Sequence, residues 1–563
     1  MEFNRNNLHL SNSLYLRQHG DNPIWWQEWG QETLDEAVRT NKPLFISIGY
    51  SSCHWCHVMA REAFSDHETA RFLNSNFICI KVDREERPDI DQFMMDYIVS
   101  KTGSGGWPLN VFSTPDLKPM FALTYAPKRA QGGRESLVEI AKKVKLFYDK
   151  GNKITSFQPT GKTPRAVPFE SLEGMLTRIY DREHGGFGHS QKFPPHSTLL
   201  FMLYSLSYKE SPGLRSMVTA TLEAMRLRGL NDHLQGGIFR YCVDREWNIP
   251  HFEKMLYDQA LAIWYYSLAY HVLGKEEYGD MAHSIIDCLD NDFSWNGLFL
   301  NSIDADTDHV EGGSYLWSYQ ELKEILGDDF DTFKKAYEVE ERGNFQGKIH
   351  LIRKNDMDLD HMENELLEVR NRRTQPHADH KFISGLNGLV IAALTQASIY
   401  LQSDELHQKA GDTMNNLLDT FWIDGKLAHS MSNGHVQKNH FLYDGAACLL
   451  ALTMLLERDP AWKEQMEDML EYVDSFKRDG EWLESHSLDF LPVPASWHDN
   501  PIPSSISLAE LSIARANMLL DEPNNPARYR SPHSYDAYNI NAMLRNGICS
   551  LLEPVGKKGI DRI

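Results

Sequence analysis

The sequence predicts two domains of different class. An α/β domain spans residues 1–150, a linker covers 151–168, and an all-α (α/α)6 toroid occupies residues 169–563. Three observations carry this. At 563 residues the chain exceeds the roughly 250–300 residues at which a single core stops growing. Short apolar runs alternate with helical patterns as far as residue 150. Beyond it strands nearly vanish, and glycine-containing loops recur at roughly 50–60-residue intervals, as in repeated helical hairpins.

The elements follow in order. Residues 44–50 are an apolar strand, and 54–74 are helical with a break near Ser65. Residues 77–83 (FICIKVD) are β-rich. Residues 88–101 open with Pro88, a good first helical residue. Strands at 109–112 and 120–123 flank the turn Thr114-Pro115-Asp116, and 134–148 close with a helix. Three prolines and little periodicity mark 151–168 as the linker. Further on, 254–272, 384–401 and 443–456 are apolar almost all round, as buried helices are. Residues 277–290, 404–422 and 461–476 carry one apolar stripe and a charged face, as an outer layer would. Between them fall Gly185-Gly186-Phe187, Gly236-Gly237-Ile238-Phe239, Asn296-Gly297-Leu298-Phe299, Asp424-Gly425-Lys426-Leu427 and Asp479-Gly480-Glu481-Trp482. An inner and an outer ring of six helices fits best; a helical solenoid is the alternative.

The formal charge of −22 disfavours nucleic acid and anionic membrane as partners. No apolar run approaches the roughly 20 residues that span a bilayer. Residues 1–20 are polar and lack the apolar core of a signal peptide, so the expected location is cytoplasmic. Cys79, Cys242, Cys288, Cys448 and Cys549 are scattered singly and read as buried reduced thiols.

Only Cys53-His54-Trp55-Cys56 has meaningful cysteine spacing. At a strand-to-helix junction the first sulfur lies near unpaired N–H groups and the positive end of the helix dipole. That environment favours the thiolate, the reactive form. Cys53 is the expected nucleophile and Cys56 the resolving thiol; a cationic His54 would favour the Cys53 thiolate. Three other readings stand beside this one. With His57 the motif fits the C-x-x-C-H haem pattern, which needs export. Cys53, Cys56 and His57 could hold zinc if a fourth ligand joined them. The dithiol could also be inert. No cofactor or metal is assigned.

The chain resembles the spermatogenesis-associated protein 20-like family. The resemblance rests on Tyr15-Leu16-Arg17-Gln18-His19, the stretch from Lys42 to Tyr50, Cys53-His54-Trp55-Cys56-His57-Val58-Met59, the stretch from Lys81 to Asp89, and Gly105-Gly106-Trp107-Pro108-Leu109-Asn110-Val111-Phe112. In the second half it rests on the stretch from Pro250 to Asp258 and on Asp304-Ala305-Asp306. It implies a thioredoxin-like redox domain joined to a six-hairpin barrel like those of sugar epimerases and glycosidases. It also implies a cis Pro108 facing the disulfide. Thioredoxins carry a buried acid six residues before the first cysteine, where this chain has Ser47; either turnover is slower or another group such as Asp83 serves. Two departures fall where a cleft wall is expected: Ala122-Leu123-Thr124-Tyr125 for Gly-Gly-Thr-Tyr, and Leu386-Asn387-Gly388 for Trp-Asn-Gly.

In such a toroid, inner-helix ends and their loops line a funnel. The cleft candidates are Arg240, His251, Glu253, Asp304, Asp306, Trp317, Asn387 and Asp444. Glu253 with Asp304 or Asp306 could form a glycosidase-like carboxylate pair. His251 could instead abstract a proton beside a sugar carbonyl, as an epimerase requires. Each could equally cap a helix or brace a loop, and Phe187, Phe239, Phe299 and Trp317 fit a core better than a sugar platform. The leading expectation is a thiol–disulfide oxidoreductase acting on a protein thiol or disulfide partner or a reductase, with a barrel that binds a carbohydrate or other ligand. The alternatives are a carbohydrate epimerase, isomerase or hydrolase, and a binding scaffold with both sites inert.

Overall fold

A computed structural model describes residues 2–159, 169–497, 499 and 502–520. Residues 160–168 of the expected linker and Cys549 lie outside the described residues. The chain forms two compact units.

The first unit comprises Met1–Thr160, Ser430–Asn439 and Ser485–Pro494. Its elements are β1 (Trp26–Glu28), α1 (Gln31–Thr40), β2 (Leu44–Gly49), α2 (His54–Arg61), α3 (His67–Asn76), β3 (Ile78–Asp83), α4 (Pro88–Thr102), β4 (Leu109–Ser113), β5 (Pro119–Leu123) and α5 (Leu137–Asp149). The strands form one sheet in the order β1-β3-β2-β4-β5. β1 and β2 run parallel to β3, and β4 is antiparallel to both β2 and β5. Every residue of β2 and β3 is buried, as central strands covered on both faces must be. The break near Ser65 is real: Asp66 caps α3 by accepting from the Thr69 N–H. β1 and α1 escaped the sequence reading: a three-residue strand carries no periodicity, whereas α1 buries Thr33, Leu34 and Ala37 on one face and its pattern was available.

Assigning everything after residue 168 to the helical domain needs correction, because two late segments belong to the first unit. Phe490 and Val493 enter the core that contains Ile46, Ile80 and Phe93. Arg87 makes bidentate pairs with both Asp89 and Asp489, and Ser487 donates to Asp89 at 2.7 Å. Apolar burial joined to a buried ion-pair network fixes residues 485–494 there.

The second unit comprises Gly161–His429, His440–Glu484 and Ala495–Ile563. It contains α6 (Phe169–Ile179), α7 (His196–Tyr208), α8 (Pro212–Leu227), β6 (Lys254–Met255), α9 (Leu256–Leu273), α10 (Glu276–Cys288), β7 (Ser302–Ile303), β8 (Asp306–Thr307), β9 (Val310–Glu311), α11 (Tyr319–Leu326), α12 (Phe330–Ala336), α13 (Asp360–Asn371), β10 (Ala378–Asp379), α14 (Ser384–Tyr400), α15 (Asp404–Phe421), α16 (Leu442–Leu456), α17 (Lys463–Asp474) and α18 (Ser505–Leu519). Helices α7, α9, α14, α16 and α18 pack side by side in chain order. α8, α10, α15 and α17 each pack on the helix before them. The first row is apolar all round and the second is one-sided, as the sequence pattern required. Between α10 and α14 the alternation breaks: α11, α12 and α13 close over their own apolar cluster, which includes Trp317, Phe333 and Leu366.

Two kinds of turn repeat. Asn296-Gly297, Asp424-Gly425 and Asp479-Gly480 each link a pair of two-residue antiparallel strands. The first residue of each has φ of 51–52° and the glycine 72–86°, the positive values that a type I′ turn demands. The second kind surrounds Gly185-Gly186 and Gly236-Gly237. There Asp181 and Asp232 accept from the N–H groups two and three residues on. Each aspartate then binds a buried lysine: Lys192 at 2.9 Å and Lys254 at 2.8 Å. Each is also gripped bidentately by an arginine, Arg245 or Arg370.

Candidate functional site

The sheet of the first unit delivers the cysteine pair. β2 ends at Gly49, and Cys53 is the N-cap of α2, with φ −80° and ψ 104°. Its Sγ accepts from the Cys56 N–H at 3.2 Å. The two sulfurs are bonded, with Cα atoms 5.2 Å apart. Both cysteines are buried, whereas Trp55 between them is 45% exposed. His54 is the first residue of α2, its ring edge-on to Trp55. The Trp107–Pro108 peptide is cis. The register Ile48↔Leu109 brings Pro108 to the end of β2, the end that leads to Cys53. Arg84 lies over Trp107 at 3.9 Å, and the Trp107 indole donates to Asp91.

Behind the disulfide lies a buried polar cluster. Ser47 Oγ accepts from Lys81 Nζ at 2.9 Å. Lys81 is fully buried against the rings of Phe64, Tyr15 and Trp26, 4.6–5.2 Å from their centroids. Burial holds its amine well below the ordinary lysine range. Asp83, the candidate substitute acid, pairs with Gly49 in the β2–β3 register. It accepts from Ser13 Oγ at 2.6 Å and from the Glu85 N–H at 3.0 Å. His19 is fully buried; burial first and Lys81 second push it well below the ordinary histidine range. Sequence reasoning quoted Tyr15, His19 and Lys81 only as motif letters. One signal was available for Lys81: a lone cation in FICIKVD, a strand with no polar face to hold it.

In the second unit the candidates separate into two groups. Arg240, Glu253 and His251 come together: Arg240 donates to Glu253 at 2.8 Å, and the charges of both reach His251. His251 Nδ1 bonds Glu311 at 2.6 Å. Burial alone would lower this histidine, but Glu311 and Glu253 hold it above its ordinary value. Asp306 is the register partner of Glu311 across β8 and β9, so it sits beside the same cluster. Asp304 accepts from the Asp306 N–H at 3.0 Å. Beside His251, Tyr241 stacks on Phe193 with ring centroids 4.4 Å apart, and Phe193 is 40% exposed.

Trp317, Asn387 and Asp444 do not join them, which corrects their place among cleft residues. Trp317 is fully buried in the α11–α13 cluster, with Arg373 stacked on it at 3.8 Å. The Asn387 amide is saturated by backbone, accepting from the Phe299 N–H and donating to the Phe299 and Ile383 carbonyls. Asp444 ties α14 to α16, accepting from the Gly385 N–H and binding His429 at 2.6 Å. An analogous bond joins His196 at the start of α7 to Asp258 at the start of α9, at 2.7 Å. Both aspartates end a Leu-Tyr-Asp triplet that opens an apolar helix, at 256–258 and 442–444. That repeat was visible in the sequence, and would have linked Asp258 to Asp444 as members of one interhelical clamp.

Residues 5–160 match the family Thioredox_DsbH, described as a protein of unknown function, DUF255. Over 504 residues the chain is 34% identical to an uncharacterized protein of Caenorhabditis elegans, covering 77% of this chain and 68% of that one. It is 33% identical over 470 residues to spermatogenesis-associated protein 20 of Mus musculus; the match covers 72% of this chain and only 60% of the mouse protein's length. Among solved structures, a sugar epimerase from a ruminal bacterium shares 13% identity at a TM-score of 0.32, over 63% of this chain and 97% of that one. The chain belongs to the spermatogenesis-associated protein 20-like family, with a thioredoxin-like domain at its N-terminus.

Proposed function

We propose that the first unit is a thiol–disulfide oxidoreductase with Cys53 as nucleophile and Cys56 as resolving thiol. The second unit selects the partner or ligand, and its paired helices are those of an (α/α)6 ring. The observation that carries this reading is the position of Cys53. It caps α2, so its sulfur already accepts an N–H at the positive end of a helix. A thiolate there is stabilised without further rearrangement. Exposed Trp55 offers an apolar contact to a partner protein beside the reacting sulfurs. The reading places the protein in the cytoplasm, where unbonded buried Cys79, Cys242, Cys288 and Cys448 are at home. No helix among the described residues is long and apolar enough to cross a membrane.

Trapping tests the proposal. Cys56→Ser is expected to accumulate a mixed disulfide on Cys53, read by non-reducing mass spectrometry, and Cys53→Ser to abolish it. No trapped species, together with a pair inert in glutathione buffers, would sink the reading.

A second reading is favoured by one arrangement: the His251–Glu311 couple beside the partly exposed Phe193–Tyr241 stack. A carboxylate-held histidine next to an aromatic face suits proton transfer on a carbohydrate. A sugar panel read by thermal shift tests it, since a bound ligand raises stability by mass action. Glu311→Gln should abolish the shift; no shift with any sugar removes this reading.

A further inference from the structure

The exchange chemistry above leaves one buried hydroxyl unused. Tyr15 sits in the helical turn Leu14–Arg17, capped by Ser13, and is 1% exposed. Its Oη has no hydrogen-bond partner among the described residues. Gly49 shows where it points. A Cβ on Gly49 would lie 2.7 Å from Cys56 Sγ and would collide outright with Tyr15 Oη. Hydroxyl and sulfur therefore border the same space beside Gly49, which no side chain fills. A buried hydroxyl without a partner is costly. A disulfide sulfur is a weak acceptor, whereas a thiolate takes a charge-assisted bond. Burial first and Asp83 second raise the Tyr15 phenol well above its ordinary range, so it remains a donor.

We propose that Tyr15 Oη is the donor reserved for Cys56 Sγ in the dithiol state, and that this bond favours reduction of the pair. The inference rests on the oxidoreductase reading. A thiolate of a partner dithiol attacks Cys53 Sγ. The Cys53–Cys56 bond breaks, and Cys56 leaves as a thiolate with the electron pair, accepting from Tyr15, which keeps its proton. The partner's second thiolate then attacks the partner sulfur of the mixed disulfide and releases Cys53 as a thiolate. The partner departs as a disulfide, two electrons have passed to the pair, and any proton taken up comes from solvent.

Tyr15→Phe in the full chain removes the donor and little volume. The equilibrium constant against glutathione, read by alkylation and mass spectrometry, is expected to move about tenfold toward the disulfide, about 30 mV for this two-electron couple. Reduction by dithiothreitol slows. Tyr148→Phe, whose hydroxyl bonds Asn41 instead, leaves both unchanged. Site-specific 3-fluorotyrosine at position 15, a stronger donor of nearly the same size, shifts the constant the other way and stands in if the Phe variant does not fold. Normal exchange with an unmoved constant in these variants overturns the Tyr15 inference alone. A wild-type pair that never exchanges with glutathione overturns the inference and the oxidoreductase reading together.

Discussion

Lys81 in the first unit and Lys254 in the second are equally sealed from solvent, at 0% and 1% exposure, yet their surroundings are opposite. Lys81 has one serine hydroxyl and three aromatic rings. Burial therefore drives its amine down toward the neutral form. Lys254 faces the same burial, but Asp232 at 2.8 Å and the Gly236 carbonyl at 2.9 Å hold it, and its affinity for the proton rises instead. Arg370 grips the same Asp232. Burial sets the penalty for a charge, and the partner decides whether the charge survives. In the second unit the charges are spent on fixing turns. In the first, an amine of lowered proton affinity and a phenol with no hydrogen-bond partner among the described residues lie near the disulfide.

Removing the shared acid should have the largest effect. Asp232→Ala leaves Lys254 and Arg370 buried without a carboxylate and is expected to cost about 3–5 kcal/mol, read by denaturant unfolding. A loss below about 1 kcal/mol would erase the contrast, since it would make the clamp no stronger than a surface ion pair. Lys81→Met should act in the other direction. It replaces a poorly solvated amine with an apolar chain of similar length and is expected to stabilise the first unit by about 1–2 kcal/mol at pH 7. Hydrogen exchange on peptides from β2 and β3 would show it; a loss there would mean the amine is better paired than its geometry implies.

The pH response sharpens the same comparison. Lys81 and His19 have lowered pKa values in the fold, so the unfolded chain binds more protons. Their contribution to first-unit stability is full above the unfolded pKa values, about 10.4 and 6.5, and is lost as pH falls toward the folded ones. Within its window each group contributes a slope approaching about 1.4 kcal/mol per pH unit. The part of the slope just below about pH 10 should vanish in Lys81→Met. Asp232 is also lowered, by Arg370 and Lys254 against the burial that would raise it. Its contribution to the second unit is full above about pH 3.9 and is lost as pH falls below that. The smallest effect concerns His251. Glu311→Gln removes the bond that raises it, and its NMR titration midpoint should fall. An unmoved midpoint would mean that Glu253 alone holds it.

Much of the fold was legible because it is periodic. The α/β order from 44 to 149, the break near Ser65 and the alternation of all-apolar with one-sided helices follow from local pattern. The Asn-Gly and Asp-Gly segments read as loops but not as the type I′ turns they form, although these pairs adopt the required positive φ at little cost. Less of the sites was legible. Cys53 and Cys56 announce themselves by spacing. Asn387 and Trp317 read as cleft residues because a polar or aromatic letter near a helix end looks the same whether it faces solvent or a buried carbonyl.

The sequence by itself determined the class of each unit, the spacing of the cysteine pair and the family, since these reside in neighbouring letters. Only the tertiary structure decided which distant groups meet. It returned residues 485–494 to the first unit, bound Lys254 to Asp232, set Lys81 against Ser47 and three aromatic rings, and brought Tyr15 and Cys56 to the same side of Gly49. The physical reason is that a proton affinity or an unpaired hydroxyl depends on a few ångströms of through-space contact. Side chains far apart in the sequence make those contacts, and no local period encodes them.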